Sequence, residues 1–530
     1  MKSSTISSTA VRDSLEARAG LKSKWPVTFD LSGSEATGRF EGEAGDLIVY
    51  GEIPSQIDGT FYRVSPDRFM PKEDAVPIDG DGSVSAFRIK DGRVDFKIKY
   101  IQTERYKSDR RAGKSLFGGF KNSWDHHPCV RAAVDSTANT NAVYWAGRLL
   151  TLDEGANPYE IDPDTLETLG YDPYYDQVKS KAFTAHPKVD PFTQELVTFG
   201  YEATGPGSVD VVTWSIGKDG KKTEEVWVKS PFATLIHDCG ITENYLVLMA
   251  WPFEAMMERM KSGGHHWAYR YDRPAVFIVA PRRKNSPPPG WQPGEYRVYN
   301  WKNCVITHTA GSWEEKDGKI FIETTRIHDN VFPFFPDPDG RLPPEDTKAD
   351  FVRWEIDPSQ PTDSWLPDPK VLVDFPSEFP RIDERLMGKK YKIMFLAVHL
   401  DHDEDGSDNV FHGLNTLAML NTETGDMKYF YPGPQATVQE PTFIPRSDDA
   451  PEGDGWVMAM VEQRATSHCE LVVIDTKDFT KPIAIAKLPF RVKSQIHGNW
   501  VDGKDLSTRR SIVHIPDEFK LSNKGHLMPL

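Results

Sequence analysis

Hydrophobic and polar residues alternate along most of this chain in short segments, and turns separate the segments. A period of two is typical of half-buried β-strands, and Asp-Gly between two such segments indicates a β-hairpin. The pattern is clearest around Asp91-Gly92, Asp219-Gly220 and Asp317-Gly318, and it recurs from about residue 45 to the end. The sequence therefore predicts a protein built largely from β-hairpins.

Helical periodicity is scarce by comparison. Only "PFEAMMERMKSG", from Pro252 to Gly263, places its apolar residues roughly on one face and ends at a pair of glycines, so it predicts a helix. Many hairpins without β-α-β alternation favour one closed or radially repeated all-β structure, and a β-propeller is our leading prediction. We expect residues 1–40 to form an N-terminal arm and residues 41–530 to form a single domain.

Composition narrows the class of protein. The 530 residues include 63 Lys and Arg against 79 Asp and Glu, a net charge of -16, which argues against a nucleic-acid partner held by its phosphates. No apolar run approaches the ~20 residues of a membrane span, and the N-terminus lacks the apolar centre of a secretory signal. We therefore expect a cytoplasmic protein without stable membrane insertion. The four cysteines form no CxxC pair, which predicts buried thiols.

Four of the fifteen histidines share a setting: each stands at the end of an apolar or mixed polar and apolar run, beside a residue that turns the chain. They are His186 in "FTAHPKVDP", His237 in "LIHDCGIT", His308 in "CVITHTAG" and His497 in "SQIHGNWVDG". Their spacing excludes a local zinc finger or an HExxH site, so any shared site must be assembled by the fold. Taken singly, each is explained as well by a structural role in hydrogen bonding.

Several segments resemble the signatures of a known family. The segments "FYRVSPDRFMP", "FTAHPKVDP", "LIHDCGIT" and "IHGNWVDG" are similar, in the same order, to those of the carotenoid cleavage oxygenases, and the resemblance runs from about Gly51 to His514. The region "STANTNAVYWAGRLLTLDEGANPYEID" most resembles the lignostilbene dioxygenase branch, which includes enzymes that cleave stilbenes and phenylpropenes.

This resemblance implies a seven-bladed propeller with one non-haem Fe(II) on its axis. The implied metal ligands are His186, His237, His308 and His497. The resemblance also implies three glutamates that accept hydrogen bonds from ligand histidines, and by motif these are Glu154, Glu378 and Glu440. No organic cofactor is implied, and the protein is expected to be a monomer or a homodimer.

The resemblance breaks at the expected substrate contacts. In the lignostilbene branch a lysine usually precedes the first glutamate and, with a tyrosine, binds the substrate's phenol; here that position is Asp153. In "FGGFKNSWDHHP", Phe120 and Trp124 stand where relatives carry tyrosines. An aspartate reverses the preference for a phenolate, although it can accept a hydrogen bond from a neutral phenol. The alternative is that Asp153 points to water or to Lys121.

We expect an apolar cavity lined by Phe61, Phe120, Trp124 and Phe332, with ordinary core packing as the alternative for these aromatic residues. The predicted function is O2-dependent cleavage of an alkene conjugated to an aromatic ring. Its substrates would be isoeugenol or 4-vinylguaiacol, giving vanillin, or stilbenes. The alternative within the family is an apocarotenoid-cleaving dioxygenase, and from another class a non-catalytic propeller that serves as a binding module. A binding module has no use for four histidines supported by three glutamates.

Overall fold

The computed structural model describes residues 37–72, 75–175, 177–344, 347–402, 413–514 and 527–528. The predicted N-terminal arm, residues 1–40, lies outside these ranges except for residues 37–40. The β-strands of the first half are, in chain order, β1 Gly42–Ala44, β2 Ile48–Gly51, β3 Gly59–Pro66, β4 Gly82–Lys90, β5 Arg93–Tyr100, β6 Asn141–Trp145, β7 Arg148–Leu152, β8 Tyr159–Ile161, β9 Thr168–Tyr171, β10 Lys188–Asp190, β11 Glu195–Gly200, β12 Asp210–Gly217, β13 Lys222–Lys229, β14 Thr234–Ile241, β15 Tyr245–Ala255, β16 Trp267–Tyr269 and β17 Ala275–Pro281.

The remaining strands follow in the second half of the chain. They are β18 Arg297–Trp301, β19 Val305–Glu314, β20 Ile320–Ile327, β21 Ala349–Ile356, β22 Ser364–Trp365, β23 Lys370–Val373, β24 Ser377–Ile382, β25 Ile393–Val398, β26 Thr416–Asn421, β27 Met427–Phe430, β28 Ala436–Val438, β29 Thr442–Pro445, β30 Gly455–Gln463, β31 His468–Asp475, β32 Pro482–Lys487, β33 Gly498–Asp502 and β34 Leu527–Met528. The described helices are α1 Glu104–Ala112 and α2 Met257–Lys261.

These strands form seven sheets, which are the blades of the predicted propeller. Five blades use strands that lie near one another in the sequence: β6 to β9, β10 to β13, β14 to β18 with β22, β19 to β21 with β23, and β24 to β27. The two remaining blades each combine strands from both ends of the chain. In one, β33 pairs with β3, and in the other, β2 pairs with β32. These pairings close the ring and cover strand edges that would otherwise be exposed.

The hairpin predictions are confirmed at the Asp-Gly turns. Asp91 and Gly92 link β4 to β5 with φ angles of 51° and 75°, as a type I′ turn requires. Gly220 and Gly318, which turn β12 into β13 and β19 into β20, also have positive φ. Local turn chemistry therefore sets these registers.

The helix prediction was wrong in its extent. Residues 252–255 continue β15, residues 253–255 pair with β16, and only Met257–Lys261 is helical. Cross-strand pairing thus overrides the helical periodicity of this segment. Helix α1 was missed, because its sequence "ERYKSDRRA" has almost no apolar periodicity. Its ends are nevertheless capped by the Thr103 hydroxyl and by Gly113 at φ 67°. Neither described helix has the length and apolarity needed to cross a membrane.

Candidate metal centre

The four predicted histidine ligands meet on the propeller axis. His237 lies within β14 and His308 within β19, whereas His186 lies two residues before β10 and His497 lies directly before β33. The Nε2 atoms of successive rings are close: His186 to His237 is 3.1 Å, His237 to His308 is 3.0 Å and His308 to His497 is 3.1 Å. All four ligand atoms lie within 4.8 Å of one another. Residues distant in sequence therefore form one donor set.

Three of these rings are oriented by glutamates. The Nδ1 atom of His237 donates to Glu154, that of His308 to Glu378 at 2.5 Å, and that of His497 to Glu440 at 3.1 Å. This pairing matches the arrangement that the sequence resemblance implied. With the proton held on Nδ1, each of these rings directs an Nε2 lone pair toward the axis.

The donor set itself tests whether a metal ion fits. Unprotonated Nε2 atoms that face one another at about 3 Å repel, because none of them carries a proton to share. A cation at their centre removes this repulsion, and neutral imidazole is a common ligand for iron, zinc, copper and nickel. The residues present therefore fit a divalent metal held by His186, His237, His308 and His497.

Electrostatics favour the neutral form of two of the four histidines, whereas the paired Glu378 outweighs burial and raises the pKa of His308. Burial lowers the pKa of His497 to about 4, and burial together with the neighbouring rings holds the pKa of His186 well below its ordinary value. Burial alone would raise the pKa of each of the three glutamates, but the paired imidazoles and further donors outweigh burial and lower it. The glutamates are thus ionised and would offset the charge of a dication held by the histidines.

Each glutamate is in turn held by another donor that the sequence analysis missed. The Tyr201 hydroxyl donates to Glu154 Oε2 at 2.7 Å, and the Thr307 hydroxyl donates to Glu378. Arg381 lies 3.3 Å from Glu440 Oε1. Thr307 precedes His308 directly and Arg381 follows Glu378 by three residues, so only Tyr201 lies far from the predicted residues in the sequence.

Replacing Glu440 by glutamine is expected to weaken metal affinity by about 10- to 100-fold, the usual cost of losing such an outer carboxylate. The amide cannot balance the His497 ring and Arg381, both of which the carboxylate contacts. Metal titration of the apo-protein measures the change. Glu258→Gln, at a side chain that is 84% exposed on α2, is the control. An unchanged affinity in Glu440→Gln would contradict the assigned role.

The structure gives Asp153 a different role from the predicted substrate contact. The side chain is buried and accepts six hydrogen bonds of 2.7–3.2 Å. The donors are the Thr137, Ala138, Gly155 and Ala156 amides and the Ser136 and Thr137 hydroxyls. Both carboxylate oxygens are thus occupied by the chain itself, so Asp153 anchors two loops and has no acceptor left for a phenol.

Lys121 does not pair with Asp153 either. Its ammonium group lies 3.3 Å from Glu202 and 4.6 Å from the centre of the Tyr201 ring. Because Tyr201 donates to Glu154, this arrangement places a lysine and a tyrosine next to the first glutamate, although from positions other than those seen in the lignostilbene branch.

An aromatic wall reaches the metal site from one side. Phe332 lies 6.1 Å from Trp251 between ring centres, and Trp251 lies 5.4 Å from His237. Phe120 contacts Phe335 at 5.8 Å, and Trp124 packs against the same hydrophobic cluster. The structure thus brings Phe120, Trp124 and Phe332 together on the side of His237.

Phe61 does not belong to this wall. It is fully buried in a separate cluster between the two blades that contain both chain ends, together with Phe87 and Phe96. The prediction that Phe61 lines the cavity was wrong, because its position in β3 turns the ring into the core between blades.

The sequence is similar to those of several known proteins. The family described as "Retinal pigment epithelial membrane protein" matches residues 36–502. Resveratrol cleavage oxygenase 1 from Botryotinia fuckeliana is 58% identical over 513 residues, which cover 96% of this chain and 92% of the relative. Carotenoid cleavage oxygenase 1 from Neurospora crassa is 41% identical, over 88% of this chain and 89% of the relative.

A solved structure shows the same fold. The crystal structure of lignostilbene dioxygenase from Pseudomonas brassicacearum is 37% identical in sequence and superimposes with a TM-score of 0.85. The match covers 90% of this chain and 99% of that one.

Proposed function

Since this chain belongs to the retinal pigment epithelial membrane protein family, which contains the carotenoid and stilbene cleavage oxygenases, we propose that it is an iron(II)-dependent oxygenase of stilbenes and related aryl alkenes. The observation that carries the proposal is the set of four histidines with three glutamate partners. In the proposed reaction both atoms of O2 enter the products, so that one C=C bond becomes two C=O groups. A stilbene then gives two aromatic aldehydes.

The bound iron would supply the site for activating O2. The remaining work falls to the chain's own residues. Phe332 is half-buried and presents a flat apolar face on which an aromatic ring can stack, and the buried Trp251 supports it beside His237. The wall thereby holds the alkene in one orientation, which lowers the entropic cost of the reaction.

Stilbenes are the first candidate substrates because the relative with 58% identity is named for resveratrol. Vinylphenols and phenylpropenes, such as 4-vinylguaiacol and isoeugenol, are shorter aryl alkenes that the same wall accommodates. An apocarotenal is the second candidate class, favoured by the name of the Neurospora crassa relative and by the apolar Phe120 and Trp124.

An assay of iron-loaded protein against resveratrol, isoeugenol, 4-vinylguaiacol and an apocarotenal tests this proposal, with aldehydes measured by chromatography. We expect aldehyde formation from resveratrol only when both iron and O2 are present. Equal product without O2, or turnover of the apocarotenal alone, would overturn the substrate assignment.

Replacing Phe332 by alanine is expected to lower kcat/KM for the stilbene by about 10- to 100-fold, the equivalent of removing one aromatic contact of ~1.5–3 kcal/mol. Metal content should stay unchanged, since Phe332 contacts Trp251 and not a ligand histidine. Steady-state kinetics with parallel metal analysis measure both quantities. Phe192→Ala, at a phenylalanine that is 56% exposed, is the control.

A further inference from the structure

A second route leads to the metal centre. A cavity of about 500 Å³ lies along the propeller axis and is lined by three of the four ligand histidines, His186, His308 and His497. We call this cavity the axial channel. Its wall continues along the residues that follow those histidines on the inner strands: Lys188, Val189, Thr309, Ala310, Asn499 and Val501.

The axial channel connects the metal centre with solvent. Gly147, Gln194, Lys218 and Asp505 line it and are exposed, so they form its rim. At the other end, His186 and His497 are buried, with 6% and 2% of their surface exposed. Neither Phe332 nor Trp251 is among the lining residues. The channel is therefore distinct from the aromatic wall on which we place the substrate.

The wall of the axial channel is polar and carries an excess of acid. Its described lining includes five carboxylates, Asp238, Glu384, Glu440, Asp502 and Asp505, and three basic side chains, Lys188, Lys218 and Arg381. Two of these basic groups are neutralised internally. Lys188 pairs with Asp238 at 2.7 Å, and Arg381 pairs with Glu384 and Glu440.

The two approaches differ in what they can admit. Moving a dication past Trp251 and Phe332 would strip its water without replacement, which is very costly. A polar channel with excess negative charge instead stabilises a hydrated cation and raises its local concentration. We propose that the axial channel is the route by which a hydrated divalent metal ion enters and leaves the four-histidine centre. The proposal rests on the proposed function only in placing the aryl alkene on the other side.

Uptake of Co(II) by the apo-protein tests the route directly, with the absorption of the bound ion followed over time at low ionic strength. Asp505→Lys is expected to slow uptake, and Lys218→Glu to accelerate it, each by about two- to fivefold, because rim charge steers an approaching cation. Added salt should reduce both effects, since it screens charges beyond about 10 Å. Both side chains are exposed, so the variants should fold.

Glu258→Lys is the matched control, because α2 lies beside residues 122–125, on the aromatic side. We expect no change in its uptake rate. The proposal would be overturned if Asp505→Lys and Lys218→Glu took up Co(II) at the same rate, or if only Glu258→Lys took it up more slowly.

A second experiment uses a bound stilbene to test whether metal and substrate share one route. In the absence of O2, saturating resveratrol should leave the rate of metal removal by a small hydrophilic chelator unchanged, whereas a shared route would slow it severalfold. Resveratrol fluorescence reports binding separately. Failure to bind would count against the proposed function, while the charge variants would still decide the metal route.

Discussion

Replacing His308 by alanine is expected to remove stoichiometric metal and to lower kcat at least about 10³-fold, because a catalytic metal contributes several kcal/mol to the transition state. His308 is central to the donor set, since its Nε2 atom lies 3.0 Å from that of His237 and 3.1 Å from that of His497. Metal analysis of the purified variant, with aldehyde formation from resveratrol, measures both losses.

The fold should survive this change. Glu378 loses the His308 ring but still accepts hydrogen bonds from the Thr307 hydroxyl and the Phe379 amide. Circular dichroism can check this expectation. His514→Ala, at an exposed histidine near the end of the described chain, is the control and should keep full metal content. A His308→Ala protein that still bound one metal ion and turned over would show that the reaction does not use this centre.

Replacing Asp153 by lysine is expected to lower the free energy of unfolding by at least about 3 kcal/mol. Each buried donor that loses the carboxylate as its acceptor costs ~1–3 kcal/mol. The same change would restore the lysine that the lignostilbene branch usually carries. Asp153 nevertheless accepts six hydrogen bonds from residues 136–138 and 155–156, and a lysine accepts none. Chemical denaturation of both proteins gives the difference.

Asp401→Lys makes the same chemical change at a fully exposed side chain and should cost little. A second measurement separates stability from recognition, namely the affinity for resveratrol in the absence of O2. We expect Asp153→Lys to bind no tighter than the unchanged protein. A stable variant with tighter binding would mean that the Asp153 side chain does face the substrate.

The position of Lys121 offers a physical reason why the chain tolerates aspartate at position 153. Its ammonium group approaches Glu154 through Tyr201, and it contributes to the lowered pKa of Glu154. Positive charge is thus present near the first glutamate without a lysine at position 153. Position 153, where the sequence resemblance implied a substrate contact, instead holds an aspartate that links two loops.

Separate approaches for metal and substrate would also have a functional consequence. Iron could be lost and replaced while an aryl alkene occupies the aromatic wall. The acidic, polar wall of the axial channel would disfavour an aryl alkene, and the apolar surface around Phe332 would disfavour a hydrated cation.

The sequence by itself determined the features that depend on local chemistry. Asp91-Gly92 and the similar turns fixed hairpins, because only a few residue types adopt positive φ at little cost. The resemblance of the motifs to those of the family identified the candidate donor set of His186, His237, His308 and His497, with Glu154, Glu378 and Glu440 as its partners.

Only the tertiary structure decided where side chains point and what they meet. Asp153 and Glu154 are adjacent in sequence, yet Asp153 links two loops by hydrogen bonds and Glu154 orients His237. Phe61 and Phe332 are equally apolar, yet one fills the core between blades and the other faces the metal side. Residues 253–255 form a strand because they pair with β16. Such outcomes depend on contacts between residues far apart in the chain, and local patterns carry no information about those partners.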